Sequence, residues 1–183
     1  MSAAQVQRWL QEVVVGLGLC PFAGPVLDAG LIRTMISEAQ DGPGAVKDAL
    51  TEAVRLLETP ESEIATTLVV VPHALADFET FLDATETLVV ALSEGGADGL
   101  LQVATFHPDY RFAGEAEDAL SHYTNRAPFP IFHLLRESQV SEAVASHPDP
   151  EGIPARNIAC LEALGPEGVA ALWARIEGEG QGA

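Results

Sequence analysis

The sequence predicts a single α/β domain, because short β-branched strands alternate with longer amphipathic helices along its 183 residues. The predicted elements are, in order, a helix over 3–18, a strand over 31–37, a helix from Ala45 to Leu57, a strand over 65–73, a helix that ends at Gly95, and a strand over 100–106. Strands separated by helices indicate crossover units. We therefore expect a small three- or four-stranded, mostly parallel sheet, with a ferredoxin-like α+β sheet as the alternative.

The chain changes character after Phe106, beyond which no further strand is predicted. A loop of about twenty residues, long for a compact domain, leads into a helical C-terminal region. The predicted helical stretches lie near 129–137, 139–146, 154–164 and 166–176. No linker or repeat divides the chain, so we expect residues 1–177 to form one domain and residues 178–183 to form a flexible tail.

Composition and charge narrow the classes of protein and partner. Hydrophobic residues make up 48% of the chain, which is typical of a globular protein. The net charge of −18 disfavours binding to nucleic acid or to anionic membrane surfaces. The first residues lack the basic start and apolar core of a signal peptide, and the two cysteines have no CxxC spacing. We expect a cytoplasmic protein, and a homo-oligomer is compatible with the sequence.

Residues 106–157 concentrate the side chains with the most versatile hydrogen bonding. This segment contains both tyrosines, both asparagines, four of the five histidines and four of the eight arginines. It begins where a strand ends, and ligand-binding groups gather at that end of the strands in α/β sheets. The segment is therefore a candidate site, although an ordered cap that satisfies buried backbone groups would use the same residues.

Three residues are candidates for catalysis: His107, His133 and Cys20. His107 follows the third strand, and Asp109 could orient its imidazole. Cys20 requires a partner to act as a nucleophile, and either histidine could serve if the loop folds back over the first helix. For Cys20 the alternative is a small buried apolar residue, and for His107 it is a cap on the strand.

Arginines and amides suggest a site for an anion. Asn125 next to Arg126, and Arg156 next to Asn157, each combine an amide with a planar guanidinium that suits carboxylate or phosphate. If residues 129–137 are helical, His133 and Arg136 share a face. The candidate ligand-binding residues are Asp109, Tyr123, Asn125, Arg126, Arg136, Arg156 and Asn157.

Four segments give the chain a family resemblance: "LGLCPFAGPV", "FHPDYRFAG", "YTNRAPFPIFHLLRE" and "IPARNIACLEALG". Together they resemble the bacterial domain of unknown function 1415 family, in order, from about Trp9 to Leu164. All ten candidate residues match the family pattern, whereas Gly18, Arg111 and His122 depart from it. The resemblance implies a family and brings no established reaction.

Three functions from different classes fit these residues. The first is an enzyme that acts on a small anionic metabolite, carboxylate or phosphate, through a His/Cys/Arg pocket. The second is a zinc or iron site built from His107, Asp109, His133 and Cys20, although their spacing matches no short metal motif. The third is a non-catalytic sensor or interaction module that binds a small ligand in the same pocket. The sequence identifies no cofactor.

Overall fold

A computed structural model describes residues 2–178. The chain forms one α/β domain around a four-stranded sheet, which confirms the predicted class. Its elements are α1 (Ser2–Trp9), a π-helix (Leu10–Val15), α2 (Ala23–Asp28), β1 (Ile32–Ile36), α3 (Gly42–Glu58), β2 (Thr66–Val70), α4 (Phe78–Glu94), β3 (Leu101–Phe106), a 3₁₀ helix (Leu120–Thr124), β4 (Ile131–Arg136), α5 (Glu137–Ser146) and α6 (Ile153–Glu177).

The sheet is mixed and has the strand order β1-β2-β4-β3. β1 and β2 are parallel and joined by α3, as a crossover unit requires, whereas β4 runs antiparallel to both of its neighbours. The expectation of a mostly parallel sheet is therefore corrected. The β-α-β-α-β-β order also differs from the β-α-β-β-α-β order of the ferredoxin-like alternative.

β4 is the element for which the sequence prediction is wrong. The sequence pattern places residues 131–136 within a helix over 129–137, but they form the strand between β2 and β3. A six-residue apolar run is too short for periodicity to separate helix from strand. Because side chains alternate along a strand, His133 and Arg136 lie on opposite faces of the sheet and not on one helical face.

Helices α3 and α4 cover the first face of the sheet. Asp41 caps α3 by accepting a hydrogen bond from the Gly44 amide at 2.8 Å, and Asp77 caps α4 by accepting one from the Thr80 amide at 2.9 Å. Their apolar sides pack on alternate residues of β2 and β4 to form a continuous core that includes Leu56, Val69, Phe81, Leu88, Phe132 and Leu134.

The second face is covered by α1, the π-helix and the C-terminal part of α6. Val6, Trp9 and Val13 pack with Leu68 and Ile131 of the sheet, and with Leu172 and Ile176 of α6. α6 contains the two predicted helical stretches, 154–164 and 166–176, which meet at a non-helical Gly165 (φ 67°) followed by Pro166. α2 and α5 complete this layer at its margin.

The long C-terminal helix ends at Glu177, and Gly178 closes it with a φ of 88°. The predicted flexible tail, residues 178–183, otherwise lies outside the described residues. Within residues 2–178, none of the helices combines the length and apolar character that crossing a bilayer requires.

Candidate functional site

His107 is buried on the first face of the sheet, where it supports a loop. Its Nε2 lies 3.0 Å from the Leu75 carbonyl oxygen, to which it must donate, and its Nδ1 accepts a hydrogen bond from the Asp109 amide at 3.0 Å. The ring lies between Phe78 and Phe81, at centroid distances of 5.2 and 5.1 Å. Burial lowers its pKa, against the opposing effect of the bond to Leu75. Both ring nitrogens are therefore committed to backbone groups.

The reason for this support is the backbone of Leu75. Among residues 2–178, Leu75 is the one residue other than glycine with a positive φ, at 61°. A side chain in this region strains the backbone, so the surrounding contacts must hold it in place. His107 supplies one such contact through its bond to the Leu75 carbonyl.

Asn125, Arg126 and Tyr123 organise the segment between β3 and β4. The Asn125 side-chain amide donates to the Thr105 carbonyl at 3.2 Å, and the Asn125 backbone carbonyl accepts from the His107 backbone amide at 3.2 Å. The Arg126 guanidinium lies 4.3 Å above the Tyr123 ring, which packs against Trp173 in a T-shaped arrangement. These contacts account for the aromatic and amide residues that the sequence concentrates here.

A polar pocket of about 420 Å³ opens beside this segment. Its charged lining residues are Asp77, Asp109, Arg111, Glu117 and Arg126. Among residues 2–178, neither arginine is in a salt bridge within 4.0 Å. Of the predicted ligand-binding residues, the pocket therefore brings together Asp109 and Arg126.

Arg136, Arg156 and Asn157 lie apart from that pocket. Arg136 is buried, and its Nη2 donates to the carbonyls of Leu56, Thr59 and Ile64 at 2.6 to 3.2 Å, which closes the C-terminal end of α3. Its Nε is buried without a partner in the described part of the chain.

Arg156 and Asn157, which are neighbours on α6, have different surroundings. Arg156 is exposed, whereas the Asn157 side chain donates to the Leu19 carbonyl at 2.7 Å. One turn further on, the Cys160 thiol reaches the Leu17 carbonyl at 3.7 Å. Asn157 thus attaches α6 to the turn that follows the π-helix.

A second cavity, larger than the polar pocket, lies on the second face and has a volume of about 650 Å³. It is bounded by the sheet, the π-helix, α2 and α5, and most of its lining side chains are apolar. Representative lining residues are Trp9, Val14, Phe22, Leu68, Ala104 and Phe106. Cys20 and His133 both line this cavity, so the structure brings these two predicted catalytic residues to one space and leaves His107 on the other face.

His133, which lines this cavity, has one ring nitrogen without a hydrogen-bond partner among the described residues. The Thr66 hydroxyl lies 2.7 Å from the Leu134 carbonyl and 2.7 Å from His133 Nε2. A carbonyl only accepts, so the single hydroxyl proton goes to Leu134, and Nε2 must donate to the Thr66 oxygen. In the neutral ring, Nδ1 is therefore unprotonated. It has no hydrogen-bond partner among residues 2–178, and it retains some accessible surface.

Burial sets the protonation of Cys20 and His133. It lowers the pKa of His133 to about 4, so the imidazole is neutral at neutral pH. It also raises the pKa of the Cys20 thiol, against weaker opposing hydrogen bonds from the Phe22 and Ala23 amides. The cavity consequently contains a neutral thiol and a neutral imidazole.

The four residues considered as metal ligands do not converge. His107 packs against Phe81 on the first face, His133 lines the cavity on the second face, and Asp109 lies in the polar pocket. Among residues 2–178, no group of three or more histidine, cysteine, aspartate and glutamate side chains has the geometry to hold a metal ion. Cys20 and His133 are the pair that remains together.

Sequence reasoning missed Thr66, the residue that sets the protonation pattern of His133. Thr66 lies inside the apolar run of β2, where a threonine looks like an ordinary β-branched strand residue. Its role depends on the pairing of β2 with β4, which no local pattern encodes. The sequence does contain one indication of this role, namely a hydroxyl-bearing residue in a strand that is otherwise made mostly of buried apolar residues.

The fold and the cavity define a single-domain α/β protein with an apolar internal space of ligand size. The chain belongs to the DUF1415 family, because the family profile, described as "Protein of unknown function (DUF1415)", matches residues 1–171. This confirms the resemblance carried by the four segments. No curated protein and no solved structure matches the chain.

Proposed function

We propose that this protein binds a small, largely apolar organic molecule in the 650 Å³ cavity on the second face of the sheet. The observation that carries the proposal is an apolar space of this size containing one unpartnered imidazole nitrogen. Small-molecule sites have volumes of roughly 300–1,000 Å³ and combine apolar walls with a few polar groups that fix orientation.

The protonation of Cys20 and His133 favours ligand binding over nucleophilic catalysis. A cysteine nucleophile acts as a thiolate, which a nearby base or cation must stabilise. Here burial raises the pKa of Cys20 and lowers that of His133, so proton transfer from thiol to imidazole is disfavoured. The non-catalytic alternative, a small-ligand sensor or interaction module, is therefore favoured over a Cys/His enzyme.

A cavity-filling variant tests the proposal. Ala104 pairs with His133 across β3 and β4 and lines the cavity, so Ala104→Trp should occupy the space that a ligand needs. We expect wild-type protein to take up the neutral fluorescent probe N-phenyl-1-naphthylamine and Ala104→Trp to bind it at least about tenfold more weakly.

The matched control is Val90→Trp, which adds the same side chain at a half-exposed position on α4, the helix that covers the other face. It should bind the probe as wild type does. Equal probe binding by both variants, or no uptake by wild-type protein, would contradict the proposal.

A second candidate, a site for a small carboxylate or phosphate metabolite, is favoured by the two arginines of the polar pocket. Arg111 and Arg126 line it without ion pairs to described residues, while Asp77, Asp109 and Glu117 stand nearby. Mixed charges of this kind suit a ligand with both an anionic and a cationic group.

Calorimetric titration with glutamate and with inorganic phosphate tests this second candidate. Binding that Arg126→Gln weakens and that Arg156→Gln leaves unchanged would support it, because Arg156 is exposed and away from the pocket. Binding that is absent, or equally affected by both variants, would count against it.

A further inference from the structure

The imidazole of His133 offers the described cavity a hydrogen-bond acceptor. Thr66 Oγ1 donates to Leu134 and accepts from His133 Nε2, so neither group can change its role without breaking the arrangement. Nδ1 of His133, a residue that lines the cavity, is therefore held as a lone-pair acceptor. A ligand that covers Nδ1 without donating to it leaves a buried acceptor unpaired, which costs free energy.

The charges around the cavity disfavour an anion. Its lining contains two carboxylates, Glu61 and Glu142, and one cation, Arg136, which borders the cavity at the last residue of β4 although its guanidinium bonds on the first face. The Nη2 of Arg136 is already committed to three carbonyls, and its Nε is buried. A carboxylate placed near Nδ1 would face a second lone pair with no proton between them.

We infer that the ligand of this cavity is a neutral molecule with an apolar body and one hydrogen-bond donor, of the alcohol, phenol or amide class, and that the donor meets His133 Nδ1. This inference rests on the proposed function and specifies its ligand class. A site built to pair with a donor discriminates strongly against an analogue that lacks it, since the buried polar group is then unpaired.

Three probes of similar shape test the inference on wild-type protein: 4-propylphenol, 4-propylanisole and 4-propylbenzoate. Displacement of N-phenyl-1-naphthylamine would give their relative affinities. We expect the phenol to bind about tenfold or more tightly than the ether, and the benzoate to bind most weakly.

Thr66→Val is the variant that tests the mechanism. Thr66 is a positioning residue, because it fixes which nitrogen of His133 carries the proton. Without its hydroxyl, the preference for the phenol over the ether should shrink, while the affinity for the ether should stay within about twofold of wild type. An unchanged preference would contradict the assigned role of Nδ1.

The outcomes separate this inference from the proposed function. Equal binding of phenol and ether, failure of both to displace the probe, or preferred binding of the benzoate would overturn the inference while probe uptake still supported a ligand cavity. Preferred binding of the benzoate would direct attention to Arg136. Absence of probe uptake by wild-type protein would remove the proposed function itself.

Discussion

The two faces of one sheet differ in how completely they are filled. On the first face, Phe81 stacks on Phe132 at a centroid distance of 5.1 Å, and His107 fills the adjoining space with both nitrogens bonded. On the second face, the helices leave a cavity of about 650 Å³, and His133 keeps one nitrogen free. The comparison teaches that the number of ring nitrogens already hydrogen-bonded within the fold says more about what a histidine can do than the sequence motif that contains it.

The largest expected effect comes from removing an aromatic ring from the filled face. Phe81→Ala should lower the free energy of unfolding by about 4 kcal/mol, because it creates a void in close-packed surroundings. Phe106→Ala, which borders the existing cavity and contacts Trp9, should cost less than half as much. Urea unfolding of the two variants measures both values, and equal losses would contradict the difference between the faces.

The second prediction concerns the pH dependence that His133 contributes. Its pKa falls from 6.5 in the unfolded chain to about 4 in the folded protein, so the unfolded state binds the proton first. Stability from this group is complete above about pH 6.5 and is lost as the pH falls towards 4, by at most about 3 kcal/mol.

His133→Gln should therefore flatten the decline of stability between pH 6.5 and 4, as measured by urea unfolding at a series of pH values. Exposed His73→Gln is the control and should leave the profile unchanged. Burial also lowers the pKa of His107, so part of the decline should persist in the His133 variant. A profile identical to wild type would show that His133 titrates normally.

The smallest expected change in stability comes from the hydrogen bond that attaches α6 to the turn after the π-helix, on the second face of the sheet. Asn157→Ala removes the hydrogen bond to the Leu19 carbonyl and should lower the free energy of unfolding by about 1 kcal/mol. Arg156→Ala, at the exposed neighbouring position, should change it by less than about 0.5 kcal/mol. The reverse order would indicate that Arg156 has the structural role.

Much of the fold is predictable because local patterns are unambiguous. The capped, amphipathic α3 and α4 and the β-branched β2 lie within a few residues of their predicted bounds. β4 escapes prediction because its six residues place Phe132 and Leu134 on one face and His133 on the other, within a run too short to distinguish the two periods.

The candidate site is less predictable because it depends on long-range pairing. Residue types correctly mark the segment after β3 as special, but Arg136 and Asn157 use their donors on backbone carbonyls. Cys20 and His133 are 113 positions apart and meet at the cavity through packing that no spacing rule records. Their shared location becomes visible only in three dimensions.

The π-helix at Leu10–Val15 has a consequence for how this chain can evolve. A π-helical turn contains one residue more than an α-helical turn, so it is equivalent to an insertion in an ordinary helix. Deleting one residue there would restore an ordinary α-helical turn and leave the flanking helical segments in nearly their present orientation. Trp9 and Val14, which now flank the same cavity five positions apart, would then be four positions apart, the spacing that places two residues on one face of an α-helix. Homologues that bind the same ligand should therefore be able to lack this residue and still present both side chains to the cavity.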